Sequence, residues 1–289
     1  MRQNRLFDVK VSWADFKHSE FIYPPCPICG IYQYSSLATV VINFTEFHIV
    51  KCPICSLMWR TPLPDSDFLT DLYSEKYYNV RTHSPDLLYQ VGIEDFTEKD
   101  QKNRREKTQI EVQNWIDMGI KSKNDIGETK KMLEIGGGRG YLQLAAKEKG
   151  WSTIGLEISP YGIKSSINKE FTVLPITLEE LCAKYIPHSN YFDLVVFFDF
   201  IEHVTDPVRI LRMIHYLLKN DGIIALRIPN TLDCPKLHLI DHIWHFSDSS
   251  LKILLEREGF SIFKQYDSGI FKSPDGNIIH NISIFAKKS

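Results

Sequence analysis

The sequence predicts an α/β protein: a mainly parallel sheet covered by helices on both faces, preceded by a small cysteine-bearing module. Three observations carry that expectation. From residue 131 onward, short β-rich runs alternate with helical ones. A glycine-rich turn joins the first run to the first helix, and four of the six cysteines fall into two C-x-x-C pairs near the N-terminus. Strand–helix repetition places crossover helices on both sides of a parallel sheet.

The strand candidates, in order, are KMLEIGG, STIGLEI, FTVLPI, FDLVVFFDF, GIIALRIP, FSIFKQYDS and NIIHNISIFAKK. Between the first five lie helical segments: YLQLAAKEKG, PYGIKSSINKE, LEELCAKYI and DPVRILRMIHYLLKN. A further helix, SSLKILLEREG, precedes the sixth strand. Gly150, Gly222 and Gly259 stand where helices are expected to end. The last two strands follow each other without a helix, which implies an antiparallel hairpin at the sheet edge. Upstream, residues 93–126 are highly charged, with apolar residues at Ile110, Val112, Trp115, Ile116 and Met118. That pattern suggests a helix leading into the sheet. The expected organisation is a cysteine- and tyrosine-rich module over 1–80, a helical linker over 81–130 and the α/β domain over 131–289.

Composition bounds the function. Apolar residues make up 43% and charged residues 24% of 289, as in ordinary globular proteins. The net charge of −2 provides no global field for nucleic acid or anionic membrane. The basic run KNRREK is flanked by acids and reads as a solvated helix face, so nucleic acid is not the expected partner. The N-terminus lacks a signal-peptide core, and the densest apolar run, FDLVVFFDFI, is broken by Asp199 and too short to span a bilayer. The expectation is a soluble cytoplasmic protein without a membrane partner; oligomeric state is not legible.

CPICG at 26–30 and CPICS at 52–56 are 22 residues apart. Each C-x-x-C can present two thiolates from one tight knuckle, and four thiolates close a tetrahedral site at about 2.3 Å. Cys26, Cys29, Cys52 and Cys55 therefore read as the ligands of a structural zinc ribbon. Two redox pairs are the other reading, but neither pair opens a helix in a βαβ unit. A closed site of this kind supplies no chemistry and helps a short segment to fold. Cys182 lies in an amphipathic segment and reads as a small core residue, whereas Cys234 has no assignable role.

The glycine turn reads Glu134-x-Gly136-x-Gly138-x-Gly140. A dinucleotide fingerprint needs a third glycine three residues after the second, and that position is Tyr141. Glu134 precedes the first glycine, where a pyrophosphate would be repelled and a cationic ligand favoured. Glu157 ends the second strand, where a carboxylate can accept both hydroxyls of a ribose.

LEIGGGRG, GLEIS, FDLVVFFDFIEHVTDP, LLKNDGIIALRIPN and HIWHFSDSSLKILLEREGF occur in that order over 131–289. Together they resemble the class I S-adenosylmethionine-dependent methyltransferases, small-molecule branch. The resemblance implies a Rossmann-like seven-stranded sheet of order 3-2-1-4-5-7-6 with an antiparallel last strand. It implies that Gly136, Gly138 and Gly140 let backbone approach the methionine end of the cofactor. Glu157, with Ile158 beside it, would hold the ribose end, and Asp199 would lie near the amino group. The family's usual aspartate before the first glycine is Glu134 here.

The ribbon followed by LMWRTPLPDSDFLTDLYSEKYY is similar to the N-terminal module of sugar C-methyltransferases. By that similarity Tyr77 and Tyr78 either reach toward an acceptor or pack as aromatics. Methyl transfer is an in-line displacement, and a base is needed where the nucleophile carries a proton. Asp199, Glu202 and His203 follow the fourth strand; Asp241, His242 and His245 follow the fifth. His203 and His242 match histidines of the ribbon-bearing enzymes. They act either as base or acceptor-orienting groups, or as loop caps. Those enzymes usually carry a further C-terminal domain that has no counterpart in these 289 residues. The expected function is methyl transfer from S-adenosylmethionine to a small-molecule acceptor such as a sugar, nucleotide sugar or other metabolite. The other readings are an RNA or protein methyltransferase docking through the ribbon, and a cofactor-binding protein without turnover.

Overall fold

The alternation that begins at residue 131 becomes one seven-stranded sheet in the computed structural model. The structure describes residues 6–9, 24–42, 45–64, 98–164, 172–185, 189–230, 242–272 and 278–289. Tyr77, Tyr78, Cys234 and Asp241 lie outside the described residues.

Four strands come first: β1 (Leu6–Val9), β2 (Ser35–Ile42), β3 (Thr45–Lys51) and β4 (Met58–Thr61). The long helix α1 (Glu98–Asp117) follows. Then come β5 (Lys131–Ile135), α2 (Tyr141–Glu148), β6 (Ser152–Leu156), α3 (Pro160–Lys164) and β7 (Thr172–Leu174). The short helix α4 (Leu178–Glu180) runs into a wider turn over Leu181–Tyr185. The chain continues as β8 (Phe192–Phe198), α5 (Pro207–Leu217), β9 (Leu218–Pro229), β10 (Trp244–His245), α6 (Asp248–Arg257), β11 (Phe260–Lys272) and β12 (Ile278–Lys288).

The large sheet runs β11-β12-β9-β8-β5-β6-β7. Counted from residue 131, that is the expected order 3-2-1-4-5-7-6. β5, β6, β7, β8 and β9 pair in parallel, and β12 runs antiparallel between β9 and β11. Period-two alternation sends neighbouring side chains to opposite faces. Met132, Leu194, Val196, Ala225 and Phe285 join one buried cluster with Val112 and Trp115 of α1 and Leu142 and Ala146 of α2. Leu133, Val195, Phe197, Ile224 and Ile284 join the other, under α5 and α6. The charged helix α1 thus covers the sheet with Val112 and Trp115, whereas Ile110 points to solvent.

Local signals set the helix ends. Asp206 caps α5 by accepting from the Arg209 amide at 2.9 Å, and Pro207 opens the helix. Ser247 caps α6 in the same way through the Ser250 amide. Gly150 (φ +88°) and Gly259 (φ +84°) follow the ends of α2 and α6, as expected. Gly222 does not end a helix. α5 stops at Leu217, and the chain enters β9 directly, with an irregularity early in the strand where Asp221 takes φ 62°. Gly222 is needed there for closeness, because a Cβ would stand 2.8 Å from the Lys219 carbonyl oxygen.

The N-terminal cysteine segment forms a second, five-stranded sheet, β1-β2-β3-β4-β10. Its last strand comes from far along the chain. Trp244 pairs with Trp59 and His245 with Met58, and the Arg60 amide donates to the Ile243 carbonyl at 2.9 Å. Cys26, Cys52, Cys55, Leu57 and Trp59 belong to the same buried cluster as Trp244, Phe246 and Leu254. Among the described residues, no helix is long and apolar enough to cross a membrane.

Candidate active site

β5, β6, β8 and β9 are mutually parallel through β5–β8 and end on one edge of the sheet, so the turns that follow β5, β6 and β8 converge there. The turn after β5 rests on the end of β6. The Leu156 carbonyl accepts from the Gly136 and Gly137 amides at 2.9 and 3.1 Å, and the Glu157 carboxylate accepts from the Gly138 amide at 2.7 Å. The Gly140 amide donates to the Gly137 carbonyl at 2.9 Å. Gly136, Gly138 and Gly140 all adopt positive φ (72°, 52° and 79°), which explains the glycine spacing. A phosphate cradle works by presenting backbone amides to the ligand. Here four amides of the turn already have acceptors inside the protein.

Two buried carboxylates underlie this turn. Glu134 is 7% exposed, and a Cβ on Gly137 would stand 3.0 Å from its Oε2. Burial lifts its pKa to about 8; Gln143 opposes the rise, and the nearby charge of Glu157 adds to it. Oε2 of Glu134 has no hydrogen-bond partner among the described residues. Burial raises Glu157 as well, against amide bonds that favour its charged form, including 2.7 Å bonds from Gly138 and Ser159. Each Glu157 oxygen keeps further lone-pair capacity for a ligand hydroxyl. A buried acid with one unpartnered oxygen and a second acid held by amides suit a ligand with a cationic end and a diol. They do not suit a phosphate. Ile158, next in the chain, is 51% exposed on the same rim.

Asp199 caps the end of β8 in a left-handed conformation (φ 51°), an arrangement an aspartate tolerates. Its amide donates to the Arg227 carbonyl at 2.8 Å, and its Oδ2 accepts from Arg227 Nη2 at 2.9 Å. Arg227 also lies over the Phe198 ring, 4.5 Å from its centroid. Next along, Phe200 faces Gly136, where a Cβ would meet its ring at 3.6 Å. The His203 amide donates to the Phe200 carbonyl at 3.0 Å. The loop after β8 therefore runs from the glycine turn to the histidines.

His203 and His242 meet edge to face, with ring centroids 4.5 Å apart and planes at 88°. His245 follows, with its ring 6.3 Å from that of His242. Their loops are clipped together by backbone. The Glu202 carbonyl accepts from the Ile243 and Trp244 amides at 2.8 and 3.1 Å, and Trp244 Nε1 donates to the Val204 carbonyl at 2.6 Å. The structure thus brings together Glu134, the three glycines and Glu157 on one side, and His203 and His242 on the other. Asp199, at the end of β8, is engaged with Arg227.

Gln143 and Arg227 belong to this neighbourhood and were not singled out by sequence. Gln143 had a signal: a polar residue, fully buried, within the apolar run YLQLAA. Arg227 had none, since one arginine in GIIALRIP looks like an ordinary strand residue.

The four cysteines converge. The sulfurs of Cys26, Cys29, Cys52 and Cys55 lie within 4.8 Å of one another, and Cys26 Sγ is 3.6 Å from Cys55 Sγ. That is far beyond a disulfide at about 2.05 Å. It is close to the edge of about 3.8 Å expected for sulfurs around one tetrahedral ion at about 2.3 Å. The hydrogen bond with Cys55 draws Cys26 down to about 5, whereas burial pushes Cys29 up to about 11. The same bond with Cys26, together with burial, raises Cys55. Such a set resists full ionisation until a cation shares its charge, so the donor set fits a thiolate metal.

A family model described as a methyltransferase domain matches residues 121–265, half of the chain. The mitochondrial arginine-hydroxylase NDUFAF5 of Rattus norvegicus is 37% identical over 93 residues, covering 32% of this chain and 26% of that protein. A ubiquinone biosynthesis O-methyltransferase of Pseudomonas aeruginosa is 30% identical over 127 residues, covering 40% of this chain and 50% of that protein. The chain therefore spans half or less of these relatives' own length. Among solved structures, the 1,6-didemethyltoxoflavin-N1-methyltransferase of Burkholderia thailandensis superposes with a TM-score of 0.54 at 15% identity. That match covers 84% of this chain and 96% of the other, and at such identity it establishes a shared fold.

Proposed function

We propose, since this chain belongs to the methyltransferase-domain family, that it moves the methyl group of S-adenosylmethionine onto a small-molecule acceptor. The acceptor class is a sugar, nucleotide sugar or comparable metabolite. The observation that carries this reading is the glycine turn. Its amides are satisfied internally, and beneath it lie Glu134, whose Oε2 has no partner among the described residues, and the amide-held Glu157. Glu134 answers the positive charge of the cofactor's methionine end, Glu157 accepts its ribose hydroxyls, and Ile158 borders the same rim. Asp199 reaches the amino group when it exchanges part of its pairing with Arg227.

S-adenosylmethionine supplies an activated methyl group; the chain's own residues bind, orient and keep water away. His203 and His242 stand where the loop after β8 meets the segment before β10, and there they orient the acceptor or take its proton. The relative from Pseudomonas aeruginosa, whose name places it in ubiquinone biosynthesis, supports a small-molecule acceptor. Cys26, Cys29, Cys52 and Cys55 hold a structural zinc, whose closed sulfur shell leaves no position for substrate.

Thermal denaturation with S-adenosylhomocysteine and, separately, with NAD tests the cofactor assignment. A rise in Tm with the former alone is expected. A rise with NAD alone would sink the assignment.

A further inference from the structure

We propose that Glu202, His203 and His242 form a second metal centre, which takes a divalent first-row cation such as manganese, iron or zinc. One carboxylate oxygen and two imidazole nitrogens are its donors, and all three lie within 4.8 Å of one another. A cation about 2.1 Å from each donor sets the donors about 3.0–3.4 Å apart at octahedral or tetrahedral angles. His203 Nε2 is already 3.9 Å from Glu202 Oε1. Rotations of side chains by less than about an ångström close the remaining gap, and the backbone can stay where it is.

That backbone is well fixed. Glu202 and His203 come from the loop after β8, and His242 from the segment before β10. The two amide bonds onto the Glu202 carbonyl and the Trp244 Nε1 bond to Val204 clamp these segments together. The edge-to-face approach of the histidine rings, at 88°, lets both aim a nitrogen at one point without stacking. The carboxylate is 2% exposed and His242 8%, so a cation there would be only weakly screened by solvent.

The centre differs in kind from the cysteine cluster. Four sulfurs make a closed, soft site. Two nitrogens and one oxygen from the protein leave at least one position for water or an oxygen of the acceptor. The centre lies on the loop whose Phe200 faces the glycine turn. A cation held there would therefore orient an oxygen-bearing acceptor near the transferring methyl. This inference deepens the transfer reading and rests on it for the role of the cation. It assigns the two histidines to orienting through the metal.

The 289-residue chain, with zinc retained in the cysteine cluster, is titrated with Mn(II), and free Mn(II) is read by electron paramagnetic resonance. The expected result is saturable uptake of one Mn(II) per chain. Uptake should weaken at least about tenfold in both Glu202→Gln and His242→Gln, each checked for a cooperative melt. Pulsed spectra of the wild-type complex should show coupling to imidazole nitrogen, which keeps the proposal testable if a variant does not fold. Absence of saturable uptake, equal uptake in Glu202→Gln, or no nitrogen coupling overturns the proposal. A chain that takes up Mn(II) but shows no Tm rise with S-adenosylhomocysteine would strike the transfer reading and leave the metal centre standing.

Discussion

On the proposed placement of the cofactor's positive charge at Glu134, cofactor binding should depend on pH. Burial holds its carboxyl near 8 in the free protein, against a usual value of 4.5. Between those values the folded chain keeps a proton that the unfolded chain has lost. Its contribution to stability is therefore fully present below 4.5 and fades as pH rises through 8. The shift corresponds to an order of 5 kcal/mol between the two protonation states, at about 1.36 kcal/mol per unit. A ligand that places a positive charge against Oε2 stabilises the ionised form and so expels the proton. At pH 7, a group of pKa about 8 is roughly nine-tenths protonated, so binding should release about 0.9 proton. Affinity for S-adenosylmethionine, whose sulfonium carries the charge, should rise by about tenfold per pH unit up to 8 and then level off.

Calorimetry at pH 6.5 to 8.5, in two buffers of different ionisation enthalpy, counts that proton directly. Glu134→Gln keeps the shape and removes the titration. It should bind more weakly at pH 8 and lose most of the pH slope, and the unliganded variant should gain stability over wild type as pH rises toward 8. Burial raises Glu157 as well, so a Glu157→Gln chain serves as the control for its share of the slope. Wild-type affinity that is flat across this range, with no net proton release, would refute the placement of a cationic ligand at Glu134.

Three further outcomes are expected. Metal analysis should find at least about one zinc per chain, and Cys52→Ser should lower both the zinc content and Tm; unchanged Tm in a zinc-free chain would remove the structural role of the cluster. Replacing His203 by Asn and, separately, His242 by Gln should slow methyl transfer by about a hundredfold while S-adenosylhomocysteine still binds. Full activity in both would end their role in the reaction. Gly222→Ala should destabilise the chain by about 1–3 kcal/mol in urea unfolding, because a methyl group there meets the Lys219 carbonyl at 2.8 Å; a neutral effect would show that the start of β9 can give way.

What the sequence made legible was whatever repeats locally. The strand–helix alternation, the edge hairpin and the glycine spacing are statements about neighbours a few residues apart, and the sheet order agrees with them. Helix ends were legible where a cap is a single residue, as at Gly150 and Gly259. Gly222 was misread because a glycine after a helical run signals a cap only when the helix reaches it. Here β9 starts at Leu218, paired with Phe192, so the sheet claims those residues first. The strands β2 and β3 were passed over as part of a cysteine-rich region. Their runs SSLATVVI and TEFHIVK are nevertheless rich in the β-branched residues that favour pleated sheet. Within the candidate site, Glu134 and Glu157 are legible by their positions around the glycine turn. Their protonation is not, because it depends on burial produced by the whole fold.

The least legible feature bears most directly on the chemistry. The two residues of β10 complete a sheet whose other strands lie almost two hundred residues earlier, and no periodicity can announce a strand that short. Yet the pairing of Trp244 with Trp59 is what links the cysteine cluster to the histidines. Trp59 and Trp244 are both buried, with ring centroids 6.3 Å apart, and Trp59 shares its cluster with Cys26, Cys52 and Cys55. From Trp244 it is two residues back to His242 and one hydrogen bond to Val204, beside His203. The N-terminal module is thereby built into the wall of the candidate acceptor site. Removing Trp244's indole should cost about 3–5 kcal/mol as a large-to-small core change. Its second effect separates packing from placement: acceptor turnover should fall further than S-adenosylhomocysteine affinity, because the glycine turn does not depend on β10. Equal losses of both in Trp244→Ala, in a chain that still melts cooperatively, would mean that the module stabilises the whole fold without placing the histidines.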